Sequence, residues 1–266
     1  MPLFGPNVGQ MKAKGDVDGL VRLMKGDNPQ TRVEATEALA ELGHQRATGL
    51  LIKELTDILR FGDDADKVEA IILMKGSTSA RPAVSMSLDL PFDRLQRLAK
   101  YEKTKFRRGM DLHLVRPILY GLATNSVESP AIRWYSVVAL AELGDKSDDL
   151  MQLLMDTFNS ISNMNIYVIE ETVRALSFLT GNPHCVPLLI RIQKGELFRG
   201  GLDVGWRSAA IYALGASGNA SAREYLEYLA SHGDDFYRKR ARIALELFGK
   251  ATYDEIEAKV KSKLES

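Results

Sequence analysis

The densest group of residues that could bind an anion is the basic segment, defined as residues 100–108. Its sequence is Lys-Tyr-Glu-Lys-Thr-Lys-Phe-Arg-Arg, with Tyr101 and Phe106 interleaved among the cations. Cations hold phosphates by charge and aromatic rings stack on bases, so the segment predicts contact with nucleic acid or another acidic partner. The alternative is a solvated helix end, where lysine and arginine complement the helix dipole. The candidate residues are Lys100, Lys103, Lys105, Arg107 and Arg108.

A second candidate surface is the tyrosine row, defined as Tyr225, Tyr228 and His232. Steps of three and four residues place these side chains on one face of a helix, and Phe236 and Tyr237 follow shortly after. Tyrosine provides rigid contact area at a low entropic cost, so the row predicts a protein interface. The same spacing would also suit a seam between packed helix layers, and the sequence leaves both interpretations open.

Four arginines recur at one position, each eleven residues before a glycine: Arg32, Arg133, Arg207 and Arg238. An acidic residue stands four or five positions before each of them: Asp27, Glu128, Asp203 and Asp234. A carboxylate is favoured at the start of a helix, where an arginine fork from the same or an adjacent unit can meet it. We therefore interpret the four arginines as a structural ladder, with an anion-binding row as the alternative.

Catalytic motifs are missing from the sequence. It contains no nucleophile elbow, no His-Glu-x-x-His motif and no glycine loop of the kind that cradles phosphate. His184 and Cys185 are adjacent, so on a helix their side chains would point about 100° apart, which is poor geometry for activating a thiolate. We therefore predict no catalytic residue, no metal and no cofactor.

The elements that carry these residues follow a repeat. Self-similarity at a period of roughly 31 to 38 residues is typical of stacked helical hairpins. The sequence therefore predicts an all-α, right-handed α-solenoid (an α-α superhelix) of about six to seven hairpins. An Ala-Leu pair occupies the same offset in most units: Ala38-Leu39, Ala139-Leu140, Ala175-Leu176, Ala213-Leu214 and Ala244-Leu245, with Ile71-Ile72 replacing it in one.

Within each hairpin the first helix begins at a polar or proline-containing start and ends at a glycine. Asn28-Pro29 and Ser129-Pro130 show this start best, since Asn and Ser accept hydrogen bonds from first-turn amides and proline has no amide there. Small residues at the alanine positions let helices approach closely, and Trp134 and Trp206 are expected to pack between repeats. The clear helix pairs are predicted at 131–143 with 147–159, 165–179 with 184–194, 205–217 with 220–231 and 235–248 with 252–264. The second helix of the first hairpin is predicted at 47–59, and an eroded unit is predicted to have helices at 91–104 and 111–123.

The domain prediction is a single repeat array over residues 1–266. An N-terminal cap covers 1–26, the repeats cover 27–249, and a capping helix covers 250–266. Serine and proline between Gly76 and Pro91 favour loops, so the array is predicted to be irregular over 77–127.

Composition narrows the partners and the compartment. Lys+Arg and Asp+Glu both number 35, so no net field directs the chain toward nucleic acid or an anionic membrane. The single cysteine, Cys185, rules out an intrachain disulfide and fits a reducing cytoplasm. Neither a signal-peptide pattern nor a run of eighteen apolar residues is present. We predict a cytoplasmic protein that does not bind membranes.

The Arg, Ala-Leu and Gly frame resembles HEAT-like repeats, in particular the short repeats of phycobiliprotein lyases, over about residues 10 to 265. Deoxyhypusine hydroxylase has similar repeats and holds two irons with His-Glu dipeptides. The resemblance does not extend to that iron site, because none of the four histidines here is followed by glutamate: His44, His113, His184 and His232.

The frame is specific for the architecture and not for an activity. We predict a non-catalytic protein-protein interaction scaffold that binds a protein partner along the concave face formed by the second helices, as stacked repeats generally do. One alternative is a nucleic-acid-binding protein that uses the basic segment. A second alternative is an activity like that of a bilin or tetrapyrrole lyase, which would rest on architecture alone.

Overall fold

The computed structural model describes residues 7–26, 29–42, 53, 55–75, 112–160, 166–197 and 204–264. Over these residues the chain is all-helical and has no strand, which confirms the all-α prediction. No helix in this part of the chain is both long and apolar enough to cross a membrane. The helices are α1 (Val8–Lys14), α2 (Val17–Met24), α3 (Pro29–Leu42), α4 (Asp64–Lys75), α5 (Leu112–Thr124), α6 (Pro130–Glu142), α7 (Leu150–Asn159), α8 (Ile166–Leu176), α9 (Cys185–Gln193), α10 (Val204–Ser217), α11 (Ala220–His232), α12 (Asp235–Glu246) and α13 (Tyr253–Leu264). Residues 55–61, ahead of α4, are helical as well.

Side-chain caps explain where several helices begin. Helix α6 begins at Pro130, and the Ser129 hydroxyl oxygen accepts a hydrogen bond from the Ile132 N–H at 3.4 Å. The carboxamide of Asn7 and the carboxylate of Asp16 cap α1 and α2, each accepting from the N–H three residues further on, at 3.0 and 2.8 Å. Since a first turn has no intrahelical partner for its amides, these side chains fix the start of each helix.

The chain divides into two compact units, residues 1–139 and residues 140–266. In the first unit α1 and α2 pack against each other and against α3. Lys67 Nζ donates to both carboxylate oxygens of Glu128 at 2.7 and 2.8 Å, and this pair ties α4 to the turn before α6. The prediction of one continuous domain over 1–266 stays a prediction.

In the second unit each helix packs against helices that are near it in the chain. Helices α8, α10 and α12 pack side by side, and α9 packs against α11. Within the hairpins α8 packs on α9 and α10 on α11, while α13 packs on α10 and α12. First helices therefore contact first helices, and the second helices α9 and α11 contact each other.

The Ala-Leu positions form the interior, as the sequence predicts. Ala213 and Leu214 are fully buried on α10, and Ala244 is fully buried on the neighbouring α12. Leu245 is the exception, because it is only partly buried. The other buried members are Ala38, Leu39, Ile71, Ile72, Ala139, Leu140, Ala175 and Leu176. Trp134 and Trp206 are also buried, which agrees with a packing role.

The closing glycines of the last two hairpins touch. The Gly249 N–H donates to the Gly215 carbonyl at 3.0 Å, and a Cβ on Gly249 would lie 3.1 Å from Gly218 Cα. Gly218 and Gly249 both have a positive φ, of 62° and 64°. A side chain at either position would be strained by the positive φ, and at Gly249 it would also press against the Gly218 backbone.

We expect Gly144→Ala to lower the free energy of unfolding by about 1–2 kcal/mol, because Gly144 has a φ of 87° and an L-residue is strained there. A Cβ at Gly144 would meet no heavy atom within 4 Å, so the loss would be conformational. Gly121 is the matched control, since it lies inside α5 and its Cβ would also meet nothing. Gly121→Ala should raise stability by about 0.5–1 kcal/mol. Urea denaturation measures both free energies of unfolding. If both variants changed stability in the same direction by the same amount, the left-handed conformation of Gly144 would be contradicted.

Two of the four repeated arginines, Arg133 and Arg207, donate to backbone carbonyls. Arg133 Nε donates to the Ala123 carbonyl at 3.3 Å, and Arg207 Nε donates to the Gln193 carbonyl at 2.6 Å. Ala123 and Gln193 lie at the C-terminal ends of α5 and α9. A cation is favoured at the negative end of a helix dipole, so each of these two arginines caps the helix that precedes its own.

Two of the carboxylates assigned to this ladder, Glu128 and Asp234, have other partners, so the predicted pairing is wrong at these two positions. Glu128 holds Lys67, and the Asp234 carboxylate caps α12 by accepting from the N–H three residues on, at 3.1 Å. Arg238 Nη2 instead donates to Asp235 Oδ1 at 2.8 Å. A carboxylate at a helix start meets the first-turn amides before it can reach an arginine one turn further on.

Candidate functional site

The tyrosine row is a stack of three rings on the surface of α11. The ring centres of Tyr225 and Tyr228 are 6.4 Å apart, and those of Tyr228 and His232 are 4.9 Å apart with the rings 19° from parallel. Tyr228 is 58% exposed and His232 is also exposed, whereas Tyr225 is half-buried. The prediction that the three side chains share one face is confirmed. The alternative of a seam between layers does not hold for Tyr228 or His232, because both face solvent.

The inner end of the row is anchored to α9. The Tyr225 hydroxyl donates to the carboxamide oxygen of Gln193, which is buried, and Lys194 Nζ lies 5.9 Å from the Tyr225 ring centre. Burial, as the largest cause, raises the pKa of the Tyr225 phenol to about 12, while Arg207 lowers it and Tyr228 raises it. The phenol therefore remains a neutral hydrogen-bond donor throughout the physiological range.

Arg207 joins the helices beneath the row. In addition to capping α9 through the Gln193 carbonyl, its guanidinium carbon lies 4.3 Å from the ring centre of Tyr237 on α12. An arginine over a tyrosine face gains both charge–quadrupole attraction and packing. Gln193 thus accepts a hydrogen bond from Tyr225 with its side chain and one from Arg207 with its backbone. These two bonds fix the positions of Tyr225 and Arg207 relative to α9.

The basic run Tyr237–Arg242 has a structural role in α12. Arg240 is buried, with its guanidinium carbon 3.5 Å from the ring centre of Phe236. Arg238 and Lys239 both bind Asp235, and their hydrogen bonds hold the pKa of that carboxyl below its usual range. Phe236 is 39% exposed and adds apolar surface at the start of α12.

The basic segment and part of the arginine ladder lie outside the described residues. Lys100, Lys103, Lys105, Arg107 and Arg108 all fall outside the described residues, as do Asp27, Asp203 and the side chain of Arg32. The nucleic-acid interpretation of the basic segment therefore stays a prediction.

Sequence reasoning missed a buried ion cluster around Arg174. The Arg174 guanidinium contacts the Glu142 carboxylate, Glu171 at 3.5 Å and Asp254 at 3.0 Å. Burial lowers the pKa of Arg174, but the nearby carboxylates outweigh it and hold the pKa above its ordinary value. The sequence does contain a signal for this cluster, because Arg174 immediately precedes the buried pair Ala175-Leu176 and a charged residue in such a place needs ionic partners. The cluster ties α6, α8 and α13 together, with Arg174, Glu142 and Glu171 buried and Asp254 partly exposed.

We expect the Cys185 thiol to be inert toward thiol-reactive reagents in the folded protein near neutral pH. Burial raises its pKa to about 12, and its Sγ donates to the Leu176 carbonyl at 3.1 Å, so almost no thiolate is present. His184 lies next to it in sequence but is exposed. Labelling with a chromogenic disulfide with and without urea measures this. Labelling in the folded state at the rate of the unfolded chain would contradict it.

Within the described residues, no group of three or more His, Cys, Asp and Glu side chains is placed to hold a metal ion. Comparison of the chain with protein-family models and with the curated proteins finds no match.

Proposed function

We propose that this chain is a non-catalytic protein-interaction scaffold in the cytoplasm, built as a right-handed α-solenoid of HEAT-like hairpins. The buried Ala-Leu positions support the repeat, as does the packing of α8, α10 and α12 side by side. In a stacked array each hairpin obtains its interior only from its neighbours, which leaves the concave face formed by the second helices for a partner.

The tyrosine row is the observation that carries this proposal. Exposed Tyr228 presents a large apolar ring with a polar tip, the kind of side chain that is enriched at interface hot spots. The contacts of Tyr225 with Gln193 and of Arg207 with Tyr237 hold the row in place before a partner arrives. Such preorganisation lowers the entropy lost on binding, and that favours a protein interface on α11.

Affinity capture from the native lysate, followed by mass spectrometry, tests the proposal. The full chain, Tyr228→Ala and Phe61→Ala serve as baits, because Phe61 is an equally large aromatic residue that is 84% exposed. We expect a partner that the full chain and Phe61→Ala retain and Tyr228→Ala loses. With the purified partner, Tyr228→Ala should weaken binding about thirtyfold, as truncating a hot-spot tyrosine does.

Two outcomes would contradict the proposal. One is a partner that Tyr228→Ala retains as well as the full chain does. The other is capture that nuclease treatment abolishes, because the material would then be held through nucleic acid, as the basic segment predicts. Both variants remove an exposed side chain, so their stability should remain within about 0.5 kcal/mol of the full chain.

A further inference from the structure

A groove of about 280 Å³ lies in the unit 140–266, away from the tyrosine row. The turn between α6 and α7 forms one wall, and the equivalent turn between α8 and α9 in the next hairpin forms the other. The residues that line it and matter here are Lys146, Asp148, Met151, Phe178, Asn182 and Pro183. The groove is therefore a product of hairpin stacking, and no single turn could form it.

Hydrogen bonds fix both walls. Asn182 Nδ2 reaches across to the Asp148 carbonyl at 3.5 Å, while Asn182 Oδ1 accepts from the His184 N–H at 3.0 Å. On the other turn, Asp145 Oδ1 accepts from both the N–H and the hydroxyl of Ser147, at 2.9 and 2.7 Å. The groove is thus shaped before any ligand binds.

The groove combines apolar surface with both signs of charge. Phe178 is 37% exposed and Met151 is partly exposed, so both offer apolar surface to the groove. Lys146 and Asp148 are exposed, and neither makes an ion pair with any of the described residues. A matching ligand therefore carries a cation, an anion and an apolar group.

We propose that this groove binds a free α-amino acid with an aromatic or large aliphatic side chain, as its zwitterion. The ligand carboxylate pairs with Lys146, the ammonium pairs with Asp148, and the side chain lies against Met151 and Phe178. Sites for drug-sized molecules usually occupy about 300–1,000 Å³, so a groove just below that range suits a ligand of about a dozen heavy atoms. A peptide terminus carries only one of the two charges, so it could pair with Lys146 or with Asp148 but not with both.

Titration of the full chain with L-phenylalanine, followed by amide chemical shifts in NMR, tests this site. A ligand of this size should bind with a Kd on the order of 1 mM. L-phenylalaninamide lacks the carboxylate and N-acetyl-L-phenylalanine lacks the ammonium. Each should bind about tenfold more weakly, because each loses one charge-assisted contact. Lys146→Ala and Asp148→Ala should weaken L-phenylalanine binding by a similar factor, while the exposed control Lys250→Ala should leave it unchanged.

The site would be refuted if the amides around 146–148 and 178–183 showed no saturable shifts at about ten times the expected Kd. Equal affinity for L-phenylalanine and its two derivatives would also refute it. The comparison of L-phenylalanine with its two derivatives uses the unaltered chain, so it tests the site even if a variant folds poorly.

Discussion

Arg174→Met is expected to lower the free energy of unfolding by about 3–5 kcal/mol, because it leaves buried carboxylates without their cation. The side chains of Arg174, Glu142 and Glu171 are 6%, 4% and 7% exposed, so water cannot replace the lost partner. Methionine keeps much of the apolar stem, so the loss reports on charge more than on volume. Urea denaturation followed by circular dichroism measures the change.

Two controls separate this effect from a general loss of packing. Asp254→Ala removes a carboxylate whose side chain is 45% exposed, so solvent screening should limit its effect to about 1 kcal/mol or less. Adding Glu142→Gln and Glu171→Gln to Arg174→Met removes two carboxylate charges that faced Arg174 and should restore part of the stability. If Arg174→Met is no more destabilising than Asp254→Ala, the cluster does not support the fold as described.

The second large effect is expected at the contact between α10 and α12. A Cβ on Gly215 would lie 3.0 Å from Ala244 Cβ, so the two helix backbones are nearly in contact. Ala244→Leu would place three extra carbons in this space and should lower the free energy of unfolding by about 3 kcal/mol. Ala258→Leu is the matched control, because Ala258 is exposed on α13 and should change stability by less than about 0.5 kcal/mol. Similar effects of the two variants in urea denaturation would show that α10 and α12 do not approach closely.

Local patterns in the sequence predict the local parts of this fold. The Ala-Leu spacing predicts the buried stripe because both residues recur with the helical period. Ser129-Pro130 predicts a helix start, and Gly144 predicts a left-handed exit, because each depends on the backbone of a few adjacent residues. The three rings of the tyrosine row were assigned to one face by their spacing, but spacing alone does not say whether that face is buried.

Long-range pairs are the part that the sequence does not predict. Glu128 pairs with Lys67, 61 positions away, and Arg174 meets Asp254, 80 positions away. Such partners depend on which helices become neighbours. The chain has 35 basic and 35 acidic residues, so each charge has many possible partners in the sequence. The groove beside Phe178 could not be predicted from the sequence either, because its two walls come from different hairpins.

Small-angle X-ray scattering from the full chain in solution tests most directly whether the hairpins stack side by side into a solenoid. A compact globule of this length would have a radius of gyration of about 18 Å. A stacked array is longer in one direction, so we expect a clearly larger radius and a distance distribution with an extended tail. A radius of about 18 Å with a symmetric distribution would contradict the solenoid.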